Sequence, residues 1–150
     1  MAQLENWYKA DWSRRPPGMV WEDWQPWSAW LKSPQAQTYL YAYDVELHVD
    51  AAPPGETDAS MIKMWQRVNA RRIDAVGKAN GELIIFEARR NAGWSAIAQL
   101  IGYKQLWPLF YPDLQVTGIM LVVETIPDEI RASAEMQGIP VWVSKEHITA

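Results

Sequence analysis

Between Arg71 and Arg90 the chain reads RRIDAVGKANGELIIFEARR, with acids at Asp74 and Glu87 and a guanidinium at Arg89. Two carboxylates brought side by side repel unless a proton or a cation lies between them. Oxygen ligands of that kind suit Mg²⁺ or Mn²⁺, with substrate phosphate and water completing the shell. Arg89 adds a permanent positive charge that can hold a phosphate but cannot take up a proton. The stretch that must position these groups has the form of a hairpin. Ile73, Ala75 and Gly77 alternate with Arg72, Asp74 and Val76, and Leu83, Ile85, Glu87 and Arg89 share one face of the second strand. Asn80-Gly81 between the two runs supplies the positive φ values of a tight primed turn. Closing that turn brings Asp74 and Glu87 together at the open end of the hairpin.

After the hairpin, Asn91-Ala92-Gly93 turns the chain into a predicted helix from about Ser95 to Trp107, on which Gln99 and Tyr103 stand four apart and so share a face. This order of strand, hairpin, strand and Gln/Tyr helix resembles the PD-(D/E)XK nuclease-like superfamily over roughly residues 39–143. It is most similar to the branch that includes RecB and phage exonucleases. The segments YDV at Tyr43–Val45, RIDAVG at Arg72–Gly77 and SAIAQLIGY at Ser95–Tyr103 look like those of small phage-encoded members. The resemblance implies a restriction-endonuclease-like core, an α/β (α+β) mixed sheet flanked by helices. It implies that Asp74, Glu87 and the carbonyl of Ala88 hold Mg²⁺ or Mn²⁺, and that Gln99 and Tyr103 complete the catalytic set with residue 89. The family has Lys at that position and this chain has Arg89. The reading is therefore a metal-dependent DNA nuclease weakened or inactivated by that exchange, with DNA as partner. The alternative is a catalytically inactive assembly protein of a phage particle, for instance at a head–tail joint, in which the same fold binds other virion proteins or itself. The corresponding locations are the host cytoplasm or the virion.

The composition narrows the field. A chain of 150 residues with half of them apolar has the length of one domain and the material for one core. It contains no Cys, which excludes disulfides, thiolate metal sites and Cys nucleophiles, and fits a reducing compartment. No apolar run approaches the ~18 residues of a membrane span, and the first residues have neither the charge nor the apolar core of a signal peptide. The net charge of −4 is unevenly spread. Eight Lys or Arg face only Asp74, Glu82 and Glu87 between Met61 and Lys104, a balance of +5 that leaves −9 on the remainder. A basic block around two acids is what a metal-dependent phosphodiesterase needs, and equally what a solvated helix and hairpin can carry.

The remaining elements frame this block. Residues 1–38 form a Trp-rich arm and residues 39–150 the nuclease-like domain. Six of the ten Trp lie in the first thirty positions, with Trp21, Trp24, Trp27 and Trp30 at three-residue spacing. A short helix with Pro26 in its first turn runs to about Ser33, ahead of Pro34. These aromatics either clamp the arm onto the sheet or form a protein–protein surface. Nucleic-acid stacking is disfavoured by Glu5, Asp11, Glu22 and Asp23. From Tyr39 to Asp50 a strand presents Tyr39, Tyr41, Tyr43, Val45, Leu47 and Val49 on one face and Asp44, Glu46 and His48 on the other. Asp44 and Glu46 are candidates for a third acid, though polar surface is the simpler reading, as it is for His48. Asp58 to Arg71 reads as a helix whose Met61, Met64, Trp65 and Val68 face the core, with Arg67, Arg71 and Arg72 at its C-terminal end. On the Gln/Tyr helix, Ile97, Leu100, Ile101 and Lys104 lie on one side, and Pro108 and Pro112 close it. Val116 to Glu124 suits a buried parallel strand. A helix over 128–137, capped by Thr125 and ended by Gly138, and a short strand at Pro140–Ser144 complete the chain.

Overall fold

The computed structural model describes residues 4, 6–12, 14–47, 55–69 (backbone only from 65) and 71–147. His48, Val49 and Asp50, and the side chains of Trp65, Arg67 and Val68, lie outside the described residues. The elements are β1 (Tyr8–Lys9), α1 (Trp21–Leu31), β2 (Leu40–Leu47), α2 (Ala59–Asn69), β3 (Arg71–Ala79), β4 (Glu82–Asn91), α3 (Trp94–Phe110), β5 (Val116–Thr125), α4 (Asp128–Met136) and β6 (Val141–Val143). They build one mixed six-stranded sheet in the order β1-β2-β3-β4-β5-β6. The first four strands are antiparallel, while β5 and β6 run parallel to β4. The fold is therefore the expected α+β mixed sheet with helices against it. Among the described residues no helix is long and apolar enough to cross a membrane.

The turn that sets the register of β3 and β4 follows from its two residues. Asn80 and Gly81 have φ of 52° and 80°, the left-handed pair of a two-residue primed turn. Pairing then proceeds from Ala79↔Glu82 to Ala75↔Phe86, and Asp74 and Glu87 are the next residues beyond it, at the open end of the hairpin. The sheet is buried on both faces. On one side α3 contributes Ala96, Ile97, Leu100, Tyr103 and Trp107 to a core with Ile85, Leu121 and Val123. On the other, Trp27, Trp30 and Leu31 of α1 pack on Tyr41, Ala75, Phe86 and Val122. Trp30 Nε1 donates to the Tyr41 hydroxyl at 3.1 Å, and that hydroxyl donates to the Ala36 carbonyl at 2.8 Å, so the polar atoms taken into this apolar layer are bonded.

Several local expectations are corrected. Of the apolar positions expected on one face of the strand from Tyr39, the described ones divide between two. Asp44 adopts φ 50°, and across it the alternation changes sense: Tyr41 packs on the α1 side, while Val45 and Leu47 join the α3 side. Helix α1 begins at Trp21, ahead of the expected start, so Pro26 is buried in its second turn rather than its first. Helix α3 continues through Pro108 to Phe110, and Tyr103, not Lys104, completes its buried stripe. Thr125 does not cap α4; Pro127 holds that position, and the Thr125 hydroxyl reaches Asn91 Oδ1 at 3.2 Å. Met61 and Met64 of α2 are exposed rather than core.

Gly77 marks where ring packing leaves no room for a side chain. A Cβ there would stand 2.7 Å from Phe86 Cε2 and 3.1 Å from Tyr39 Cδ1. Phe86 is fully buried and cannot retreat. Gly77→Ala is expected to cost about 1–3 kcal/mol through overpacking, read as a lower urea midpoint with an unchanged m-value.

Candidate active site

The site lies at the open end of the β3–β4 hairpin. The Asp74 and Glu87 carboxyls lie close enough to perturb each other, and Asp74 Oδ2 accepts from the Ala88 amide at 3.0 Å. Glu87 is 2 % exposed, rare burial for a carboxyl. Its Oε1 lies 2.7 Å from Arg89 Nη1, while its Oε2 is buried and accepts from no donor among the described residues. Burial above all, and then the charge of Asp74, pushes the Glu87 carboxyl up to about 9. Burial also raises Asp74, against the opposing effects of its bond to Glu87, the Ala88 amide and Arg89. Both carboxyls therefore give up their protons less readily than free ones, Glu87 above all.

Arg89 is the hub of the cluster. Besides Glu87, its Nη1 lies 4.0 Å from Asp74 Oδ2, 3.7 Å from Asp23 Oδ2 and 3.5 Å from the Ala88 carbonyl oxygen. Its Nη2 donates to Gln99 Oε1 from α3. Gln99 is exposed at the rim of the site. Tyr103, one turn further along α3, is buried beneath it and donates its hydroxyl to the Arg72 carbonyl at 3.1 Å. Burial, followed by the charges of Glu87 and Asp74, raises the Tyr103 phenol to about 12, so it remains a neutral donor. Asp74, Glu87, Ala88, Arg89 and Gln99 thus meet at one place, with Tyr103 buried beside them.

Asp44 and Glu46 stay outside the site, in line with the simpler sequence reading; they hold the Arg72 guanidinium, with Asp44 Oδ2 at 2.9 Å from Nη1 and Glu46 Oε1 at 2.7 Å from Nη2. Asp23, from the first turn of α1, does enter. Its Oδ1 accepts from the Arg90 amide at 3.0 Å, its Oδ2 faces Arg89, and its charge contributes to the rise of both Glu87 and Asp74. A first-turn acid complements a helix N-terminus wherever the helix lies, so the sequence offered no signal that this one reaches β4.

Among the described residues no three His, Cys, Asp or Glu form a metal cage by themselves. Asp74 and Glu87 nevertheless present hard oxygens, one of them a buried Oε2 without a partner, beside the Ala88 carbonyl. Two carboxylates and a carbonyl, with water and phosphate to complete the shell, fit Mg²⁺ or Mn²⁺.

No protein-family model matches the chain, nor does any curated protein sequence. Among solved structures, a repair endonuclease from Pyrococcus abyssi aligns over 65% of this chain and 38% of its own length, at 18% identity and a TM-score of 0.40. A protein from Vibrio cholerae aligns over 83% of this chain and 30% of its own, at 16% identity and a TM-score of 0.48. The chain thus spans about a third of the length of these neighbours, one of which is a nuclease.

The raised Glu87 carboxyl makes stability depend on pH. The folded chain retains this proton up to about pH 9, whereas an unfolded Glu releases it near 4.5. The folded state therefore binds more protons between those values, and stability falls as pH rises through that window. In metal-free buffer the parent protein should melt several degrees lower at pH 8 than at pH 5. Glu87→Gln should flatten that slope and melt above the parent at pH 8, by calorimetry in the presence of a chelator.

Proposed function

We propose that this protein is a PD-(D/E)XK nuclease-like phosphodiesterase acting on DNA, of the small phage-encoded type, whose activity is weakened by Arg89 in the place of Lys. The observation that carries the reading is the convergence of Asp74, Glu87, the Ala88 carbonyl, Arg89 and Gln99 at the end of one hairpin. Asp74 and Glu87, with the Ala88 carbonyl, would hold Mg²⁺ or Mn²⁺. Bound there, such an ion lowers the pKa of a water and offsets charge on the scissile phosphate.

The chain's own groups divide the remaining work. Arg89 holds the phosphate and stabilises charge on the pentavalent transition state, because its guanidinium is a fixed donor fork. It cannot deprotonate the attacking water, because it stays charged at any usable pH. Gln99 orients Arg89 from α3, and Tyr103 fixes α3 against the Arg72 carbonyl. The exposed Arg71 and Arg90 flank the site with positive charge for a nucleic-acid backbone.

A second reading is supported by Arg89 itself, whose Nη1 already faces an oxygen of each group assigned to the ion. In that reading the fold is a catalytically silent assembly module of a phage particle. Val20 and Trp21, 51% and 69% exposed at the start of α1, would then contribute to its docking on virion proteins or on itself.

Cleavage of linear single- and double-stranded DNA with Mg²⁺ or Mn²⁺ separates the two readings. The parent is expected to cut slowly, Asp74→Ala not at all, and Arg89→Lys about tenfold faster or more, since restoring an amine that can exchange a proton restores acid–base assistance. Absence of cleavage by the folded parent and by Arg89→Lys on every DNA substrate would overturn the nuclease reading in favour of the assembly module.

A further inference from the structure

The Arg89 guanidinium is placed where a bound ion would be. Its Nη1 faces four oxygens from three separate elements: Glu87 Oε1 at 2.7 Å and the Ala88 carbonyl at 3.5 Å on β4, Asp74 Oδ2 at 4.0 Å on β3, and Asp23 Oδ2 at 3.7 Å on α1. Three of the four are the oxygen donors assigned above to the divalent cation. A surface arginine that merely neutralised Glu87 would need one of these contacts; this one is enclosed by all of them. Gln99 then fastens the outer nitrogen, Nη2, from α3. The side chain is 27% exposed, so its outer part remains in contact with solvent.

We propose that Arg89 is the resident cation of this site, an autoinhibitory contact in which its guanidinium and a divalent ion compete for the same oxygens. The proposal rests on the assignment of Asp74, Glu87 and Ala88 as a cation site, and it goes further by making the chain its own inhibitor of metal binding. Two buried acids can both ionise only beside a counter-charge, and an Arg two residues from Glu87 along the same strand supplies one at all times. An incoming ion must displace that charge or bind beside it, and like charges at this separation repel strongly in a partly desolvated site. Gln99 and Asp23 hold the guanidinium in place from the two helices that flank the sheet. Removing either the charge or its tether should therefore open the site while leaving both carboxylates intact.

The test is equilibrium binding of Mn²⁺, counted as loss of the free-ion electron paramagnetic resonance signal, on the full chain and on Arg89→Met and Gln99→Ala, with a metal-free melt of each. Arg89→Met should lower the melting temperature without metal, recover it on addition of Mn²⁺, and bind Mn²⁺ about tenfold more tightly than the parent or better. Gln99→Ala should tighten binding by a few-fold with little change in the melt, and it decides the matter if Arg89→Met does not fold. Parent binding as tight as that of both variants would overturn the competition while leaving the cation site standing. Variants that fold but take up no Mn²⁺ would overturn the competition and the cation site together, leaving Arg89 as a structural counter-charge.

Discussion

A pair of carboxyls buried against each other at the end of a two-stranded turn is the constraint on which the rest of this structure depends. Asp74 and Glu87 cannot both be ionised at that distance from water and from each other without compensation. The surrounding architecture supplies it. The Ala88 amide donates to Asp74, burial holds the Glu87 carboxyl well above its usual range, and Arg89 Nη1 faces an oxygen of each acid. Replacing this cluster with apolar side chains would be the simpler way to make a stable sheet. A charged cluster in such a position is instead typical of sites where a fold keeps groups poised for chemistry.

The two helical layers meet the sheet at the same cluster. From one side α3 delivers Gln99 to Arg89 and Tyr103 to the backbone of β3. From the other, α1 is anchored by Trp27 and Trp30 in a layer of edge-on and tilted rings with Tyr41, Phe86 and Trp142. That anchoring places Asp23 over the end of β4, where it accepts from the Arg90 amide. The aromatic arm is thus more than packing: its rigid attachment is what brings a third acid to the pair. The short β1 adds to this attachment by pairing Tyr8 and Lys9 with the edge of β2.

The arginine at position 89 suits this geometry in a way a lysine would not. A lysine there would present a single point charge on a flexible stem and could give up its proton when desolvated. The guanidinium spreads its donors over two nitrogens, so one can face the carboxylates while the other is held by Gln99. The side chain is longer and better tethered, at the loss of any acid–base role.

What was legible in the sequence was local. Asn80-Gly81 dictated the turn, the turn dictated the register, and the register alone put Asp74 and Glu87 together at the open end of the hairpin, because pairing from a two-residue hairpin leaves no freedom of alignment. The Gln99 and Tyr103 spacing on α3 and the apolar run of β5 were likewise readable from periodicity. Other features were decided by tertiary packing. The left-handed Asp44 splits the tyrosine and aliphatic positions of β2 between two cores, which no alternation rule anticipates. Arg72 claims Asp44 and Glu46 because it lies beside them across the β2–β3 ladder, and Asp23 reaches the site because Trp27 and Trp30 fix α1 on the opposite face of the sheet. Contacts between residues close along the chain follow from backbone geometry, whereas a charge tens of residues away is assigned its partner only when the core that carries it has closed.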